Sequence, residues 1–204
     1  GCGTLIVNAG QSGYYRTLYQ PGMLGALTSD FGKLAPIDQL GLVSDQLALS
    51  SGQYQPLASS LDLVDAIPTD ASPGVVASGL GAMTGLYGMF EEDPARQKRI
   101  AAYASKKYGP VLDRLGFTPR AEDTAPESNL RASLISSLGY MGDPKVLAEA
   151  NRLFAALDSD PKAMDGPLRG TWLGIVATNA DAATWDKLHM MAKSANSPVL
   201  QNTL

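Results

Sequence analysis

The chain has 204 residues, of which 45% are hydrophobic, so it is long enough to bury a substantial core. Sixteen lysines and arginines stand against twenty aspartates and glutamates, a net charge of -4 without basic clusters, which argues against nucleic acid as a partner. No apolar run reaches the roughly 20 residues that cross a bilayer, so we expect no membrane span and a soluble chain, with cytoplasmic and periplasmic locations both open.

The segment 1–20 predicts a strand, a turn and a second strand. Residues 5–7 are β-prone, residues 8–13 are rich in turn formers, and residues 14–19 are aromatic and β-branched. A lone strand pair is marginal in water, so these strands should dock on helices or belong to a sheet that the chain lacks. Such orphan strands, or an exposed helical face, would also offer a surface for a homodimer.

From Pro21 onward the sequence predicts helices. A Ser or Asp precedes proline at 72–73, 93–94, 143–144, 160–161 and 197–198. Each pair is typical of a helix start, because the side-chain oxygen accepts an unpaired amide hydrogen and proline lacks only a donor that the helix cannot use. The predicted helices span residues 22–34, 39–51, 56–66, 74–91, 95–108, 130–141, 144–157, 166–178 and 182–194, with a loop at 117–127.

Short helical pairs without strands between them favour an all-α fold. The expected architecture is a superhelical array of antiparallel helix pairs of the HEAT/armadillo kind, preceded by the short β strand-turn-strand segment.

The glycine-rich stretch 79–85 does not form a dinucleotide-binding motif, because Thr84 stands where the third glycine is needed and no strand precedes it. Small residues in and beside this stretch instead fall on one face of the predicted helix, where missing side chains would let another helix approach closely. They are Ala77, Gly81, Gly85 and Gly88.

No pattern identifies a catalytic, metal-ligating or substrate-binding residue. His189 is the only histidine, so no two-histidine zinc motif can be assembled, and no G-x-S-x-G sequence supports a serine nucleophile. Residues 91–93 are interpreted as a solvated helix-capping cluster. The larger aromatic side chains are interpreted as core or groove residues without a ligand: Tyr87, Tyr103, Tyr108, Tyr140, Trp172 and Trp185.

Residues 7–19 read Val-Asn-Ala-Gly-Gln-Ser-Gly-Tyr-Tyr-Arg-Thr-Leu-Tyr. This stretch strongly resembles the junction that opens the C-terminal domain of the gluzincin aminopeptidases, the family of aminopeptidase N and of the puromycin-sensitive and endoplasmic reticulum aminopeptidases. The resemblance continues in order through residues 41–49 with Gly52, 114–117, 130–131, 149–154 and 185–188, so it covers essentially all of the chain.

The resemblance implies an all-helical, concave domain that closes over a thermolysin-like catalytic domain and forms the inner wall of a peptide-holding chamber. Residues 1–20 would then be the strand segment at the junction with the preceding β-sandwich domain, and residues 21–204 the N-terminal part of the helical domain. The implied partners are the catalytic and β-sandwich domains of the parent protein and its peptide substrates. We therefore expect a piece of a longer protein, truncated at both ends.

The family's zinc ion and catalytic residues lie upstream, in a HExxH helix with a later glutamate and a G-A-M-E-N loop. Residues 81–83 share three letters with that loop, but its glutamate is missing. The resemblance implies that this chain is not itself an enzyme and holds no cofactor, whereas the parent would release N-terminal amino acids with a zinc-activated water.

The junction signature of the resemblance falls on Asn8, Gly13, Tyr14, Arg16 and Tyr19. We expect these residues to be architectural, with a guanidinium fork and aromatic packing anchoring the segment to the first helices.

Two later residues, Asp45 and Arg131, also match recurring positions of the family. Each is expected to form a buried polar tie between helices.

Two other functions remain open. A free-standing helical scaffold could bind peptides or proteins on a concave face, as solenoid proteins do. A self-contained hydrolase is the weakest alternative, because no set of residues assembles its site.

Overall fold

The structure, a computed structural model, describes residues 4–194. Within that range the chain forms nine α-helices and two single turns of 3-10 helix, at Ala9–Gln11 and Phe31–Lys33. The helices are α1 Pro21–Ser29, α2 Pro36–Ser51, α3 Leu57–Asp65, α4 Pro73–Met89, α5 Pro94–Leu115, α6 Ala125–Tyr140, α7 Pro144–Ala156, α8 Arg169–Thr178 and α9 Ala182–Ser194. The prediction of an all-α fold is confirmed.

The prediction of two strands in the first twenty residues is corrected by the structure, because residues 4–20 contain no strand. A strand needs a neighbour to satisfy its backbone groups, and these groups have found other partners. The amide of Gly10 donates to Asp38, and the amide and carbonyl of Thr17 bond to Asp45 and Gln46. All three partners are side chains of α2, so the segment lies on this helix as an irregular loop.

Local capping chemistry sets several helix starts. The Asp93 carboxylate accepts from the amide of Arg96, and Asp143 accepts from the amides of Lys145 and Val146. Ser72 precedes α4 without a side-chain cap. Asp160 does not start a helix, since residues 161–164 form only turns and α8 begins later. The predicted start at 197–198 lies outside the described residues.

Helices α5 and α6 are both longer than predicted. Pro110 lies inside α5, which continues to Leu115 because the apolar face of the helix stays buried beyond the proline. Helix α6 begins at Ala125, where Thr124 and Glu127 form a reciprocal capping box that shortens the predicted loop.

The helices pack in two rows. Helices α2, α4, α6 and α8 pack side by side in one row, and α3, α5, α7 and α9 pack against it. Side-chain contacts between neighbours of this second row show that it lies on one side of the first; they join Tyr103 to Asp65, Lys145 to Asp113 and Lys187 to Asp158. A large apolar cluster runs from α3 to α9, and a smaller one joins Tyr19, α1, α2 and α3. Of the helices described, none is both long and apolar enough to cross a membrane.

Candidate functional site

Residues 4–20, which we call the junction segment, close on themselves through Asn8 and Gly13. Asn8 has a left-handed backbone (φ 63°), and its side-chain Nδ2 donates to the Gly13 backbone carbonyl at 2.9 Å. The Gly13 amide donates to Asn8 Oδ1 at 2.6 Å. A Cβ at position 13 would lie 2.9 Å from Asn8 Oδ1 and would collide with the Tyr15 ring. A larger residue at this position would have to displace the Tyr15 ring and the Asn8 side chain that closes the turn.

Tyr19 joins the two ends of the segment. Its side chain is buried, and its hydroxyl accepts from the amide of Val7 at 2.9 Å and donates to the Val7 carbonyl at 3.3 Å. Burial raises the pKa of the Tyr19 phenol, so it remains a hydrogen-bond donor at neutral pH.

One face of α2 holds the segment. Asp38 accepts from the Gly10 amide at 2.6 Å, and Asp45, seven residues and about two turns later, accepts from the Thr17 amide at 3.2 Å. Gly41 lies between them, and a Cβ there would collide with the side chain of Gln11. Sequence reasoning missed Asp38, because the predicted helix began at residue 39 whereas α2 begins at Pro36.

Two residues of the junction signature point outward. Arg16 makes a single ion-pair contact, from Nε to Asp45 Oδ1 at 3.7 Å, and its side chain is 59% exposed. Tyr14 is fully exposed. The expected guanidinium fork and aromatic packing of these two residues are not formed, because Tyr19 and the α2 side chains already hold the segment.

Arg131 of α6 makes the most extensive buried polar contacts in the described range. Its Nε donates to the Gly116 carbonyl at 3.0 Å, and Nη2 donates to the Leu115 carbonyl at 3.1 Å. These carbonyls end α5, where a cation complements the helix dipole. The guanidinium also pairs with Asp123, holding the pKa of that carboxyl at about 2 through hydrogen bonding. Arg131 thus ties α6 to the end of α5.

A cavity of about 330 Å³ crosses α4, α6 and α8 on the side that the second row leaves uncovered. We call this surface the open face. Hydroxyls and glycines predominate in its lining: Thr84, Ser136, Ser137, Tyr140, Gly170, Thr171, Gly174, Ile175 and Thr178. No charged side chain is among these residues, and α4 carries none along its whole length. The surface can donate and accept hydrogen bonds without selecting for charge.

Three glycines of α4 do not make the close helix contact that the sequence predicted for them. A Cβ at Gly81 or Gly85 would have no atom within 4 Å, and a Cβ at Gly88 would have only the Tyr140 hydroxyl, at 3.6 Å. Close helix packing uses Gly79 instead, where a Cβ would lie 2.7 Å from the Tyr108 hydroxyl. Both faces of α4 are built from small and apolar residues, so its sequence does not show which one is buried.

No group of three or more His, Cys, Asp and Glu side chains in the range 4–194 is placed to hold a metal ion. His189 is exposed on α9. Of the two tryptophans, Trp172 is in the core, whereas Trp185 is 59% exposed and is neither a core nor a groove residue.

A family model described as the ERAP1-like C-terminal domain matches residues 4–204. The chain is 30% identical over 198 residues to Aminopeptidase 2 of Candida albicans. The matched region covers 94% of this chain and 21% of that protein. It is 28% identical to Aminopeptidase M1-D of Oryza sativa subsp. japonica (76% and 18% covered) and 24% identical to Aminopeptidase N of Lactococcus lactis subsp. lactis (82% and 20%). The chain spans about a fifth of the length of these relatives.

Proposed function

Because this chain belongs to the family of ERAP1-like C-terminal domains, we propose that it is the helical, non-catalytic domain of a zinc aminopeptidase and that its open face bounds the parent's peptide chamber. The names of its relatives and the fifth of their length that it matches support this proposal. The parent would release N-terminal amino acids, and its zinc ion would be held by a separate catalytic domain.

The uncharged lining of the open face is the observation that carries the chamber proposal. Hydroxyls such as those of Ser136 and Thr171 can bond to peptide main-chain groups, which every peptide presents. The absence of charge from this lining means that acidic and basic peptides would be held equally well. Two further parts of the proposal are that the rows of helices continue as a HEAT-like superhelix and that residues 21–204 belong to this domain.

Residues 1–20 would form the contact with the parent's β-sandwich and catalytic domains. This segment exposes five large apolar side chains, a composition typical of a docking surface. They are Leu5, Val7, Tyr14, Tyr15 and Leu18. The outward placement of Tyr14 and Arg16 would then serve this contact.

The test is peptide binding to the full chain, measured by titrating peptides of graded length with free or blocked termini. We expect binding that strengthens with peptide length, because longer peptides present more main-chain groups to the hydroxyls of the open face, and that changes little when the termini are blocked, because the lining has no charged side chain. Ser136→Trp, which fills the cavity from an exposed position of α6, should weaken binding by about tenfold or more. Ser51→Trp, at the exposed end of α2, is the matched control and should bind as the original chain does.

Binding that does not depend on peptide length would contradict the chamber proposal and support the helical scaffold. Equal affinity in the Ser136→Trp and original chains would show that the open face is not the binding surface.

A further inference from the structure

A second cavity, also of about 330 Å³, lies between α3, α4 and α5. We call it the α3–α5 pocket. On α4 it is lined by Met83 and Leu86, whereas Thr84 lines the open face. At about 100° per residue, Met83 lies about 100° and Leu86 about 160° around the axis of α4 from Thr84, so the two cavities open on different sides of this helix. The α3–α5 pocket is therefore separate from the proposed peptide wall.

The α3–α5 pocket has an apolar floor and a charged rim. Five apolar or aromatic side chains form the floor: Leu61, Met83, Leu86, Ile100 and Tyr103. Asp62 and Asp65 of α3 stand on one side of the rim, and Arg99 of α5 stands on the other. The volume is near the lower end of the roughly 300–1,000 Å³ of small-molecule sites.

The three charged residues of the rim differ in whether they contact other parts of the chain. Asp65 Oδ1 already accepts from the Tyr103 hydroxyl at 2.6 Å, and the Asp65 carbonyl accepts from Lys107 at 2.7 Å. In the part of the chain that the structure describes, neither the Asp62 carboxylate nor the Arg99 guanidinium has a hydrogen-bond or ion-pair partner. An anion and a cation therefore remain available at the edge of an apolar surface.

We propose that the α3–α5 pocket binds a free amino acid with an apolar side chain, whose ammonium group pairs with Asp62 and whose carboxylate pairs with Arg99. This ligand class satisfies both charges and covers the apolar floor at once. An internal peptide residue carries neither charge, and an apolar amine or acid leaves one rim group unpaired. The inference goes beyond the proposed function and does not depend on it, because the pocket faces away from the open face.

Calorimetric titration of the full chain with L-leucine tests the proposal. Leucinamide, which lacks the carboxylate, and 4-methylpentanoate, which lacks the ammonium group, are the matched ligands. Leucine should bind saturably, and each analogue should bind about tenfold or more weakly, as expected from the loss of one charged hydrogen-bonding partner. Absence of saturable leucine binding, or an analogue that binds as tightly as leucine, would overturn the proposal.

Substitutions locate the site. Asp62→Asn keeps the size of its side chain without the charge, and Arg99→Gln leaves a shorter neutral polar side chain; each should weaken leucine binding by about tenfold or more. Lys98→Gln removes the adjacent exposed cation of α5, which does not line the pocket, and should leave affinity unchanged. The substituted positions are exposed, so we expect all three variants to fold, and melting curves check this. Unchanged affinity in both rim variants would overturn the assignment whether or not the open face binds peptides.

Discussion

Arg131 of α6 and Asp123 of the preceding loop form a two-point ion pair, with Nη1 to Oδ2 at 2.6 Å and Nη2 to Oδ1 at 2.9 Å. The side chains are 1% and 7% exposed. Because the same guanidinium caps the last carbonyls of α5, it joins two helices and their connection in one buried network.

Replacing Arg131 should strongly destabilise the fold. Arg131→Met removes the guanidinium that pairs with Asp123 and donates to the carbonyls of Leu115 and Gly116, and we expect a loss of about 3 kcal/mol or more in the free energy of unfolding. Urea denaturation measures it. Arg152→Met, which breaks the exposed pair with Glu149, is the control and should change stability little. Similar losses in the two variants would contradict a special role for the buried network.

The same pair should make stability depend on acid pH. The pKa of Asp123 falls from its ordinary value near 3.8 to about 2 in the folded chain. Since the folded-state pKa is the lower one, the contribution is complete above about pH 4 and is lost as pH falls toward about 2.

Denaturation curves across this pH range check the prediction against Asp123→Asn. Asp30, Glu127 and Asp181 also have lowered pKa values, so both proteins should lose stability in acid. The loss should be steeper in the original chain, and parallel curves would refute the assignment to Asp123.

Removing the Tyr19 hydroxyl should loosen the junction segment. Tyr19→Phe keeps the buried ring but loses both bonds to Val7, and we expect a loss of about 1 kcal/mol with faster hydrogen exchange at the Val7 amide. Exchange measured by NMR gives the local effect. Tyr14→Phe is the matched control on the same segment, because Tyr14 is fully exposed. If exchange at Val7 is unchanged in Tyr19→Phe, this anchoring role is wrong.

Alanine at two glycines of α4 should have opposite effects. At Gly79 the new methyl group would lie 2.7 Å from the Tyr108 hydroxyl and 2.8 Å from Ile67 Cδ1, both in the core, so Gly79→Ala should cost about 1–3 kcal/mol. At Gly85 it would meet nothing within 4 Å, so Gly85→Ala should stabilise the helix by about 0.5–1 kcal/mol. Thermal melting compares them, and equal shifts would contradict the assigned orientation of α4.

Much of the helical fold could be predicted because its signals are local. Asp93 and Asp143 cap the helices that follow them, and the buried face of α7 follows the predicted stripe through Val146, Ala150 and Phe154. The capping box of Thr124 and Glu127 was also readable, although the predicted helix began too late. In each case the interacting groups lie within one to three helical turns of each other.

The contacts of the junction segment and of Arg131 could not be predicted from the sequence, because they depend on how separate helices pack together. Residues 14–19 are β-prone, yet the groups that bind Thr17 are about thirty residues away on α2, so the segment forms a loop instead of a strand. Asp123 and Arg131 could be noticed singly, but only the ending of α5 beside α6 explains why their charges are buried together.

The sequence by itself determined the all-α class, the starts of several helices and the family resemblance, because capping, periodicity and motifs act over short stretches of chain. Only the tertiary structure decided which side of α4 faces the core. Its two sides differ little in polarity, so the sequence of α4 does not distinguish them. In the packed structure Gly79 makes the close contact with the core, and Gly81 and Gly85 are exposed.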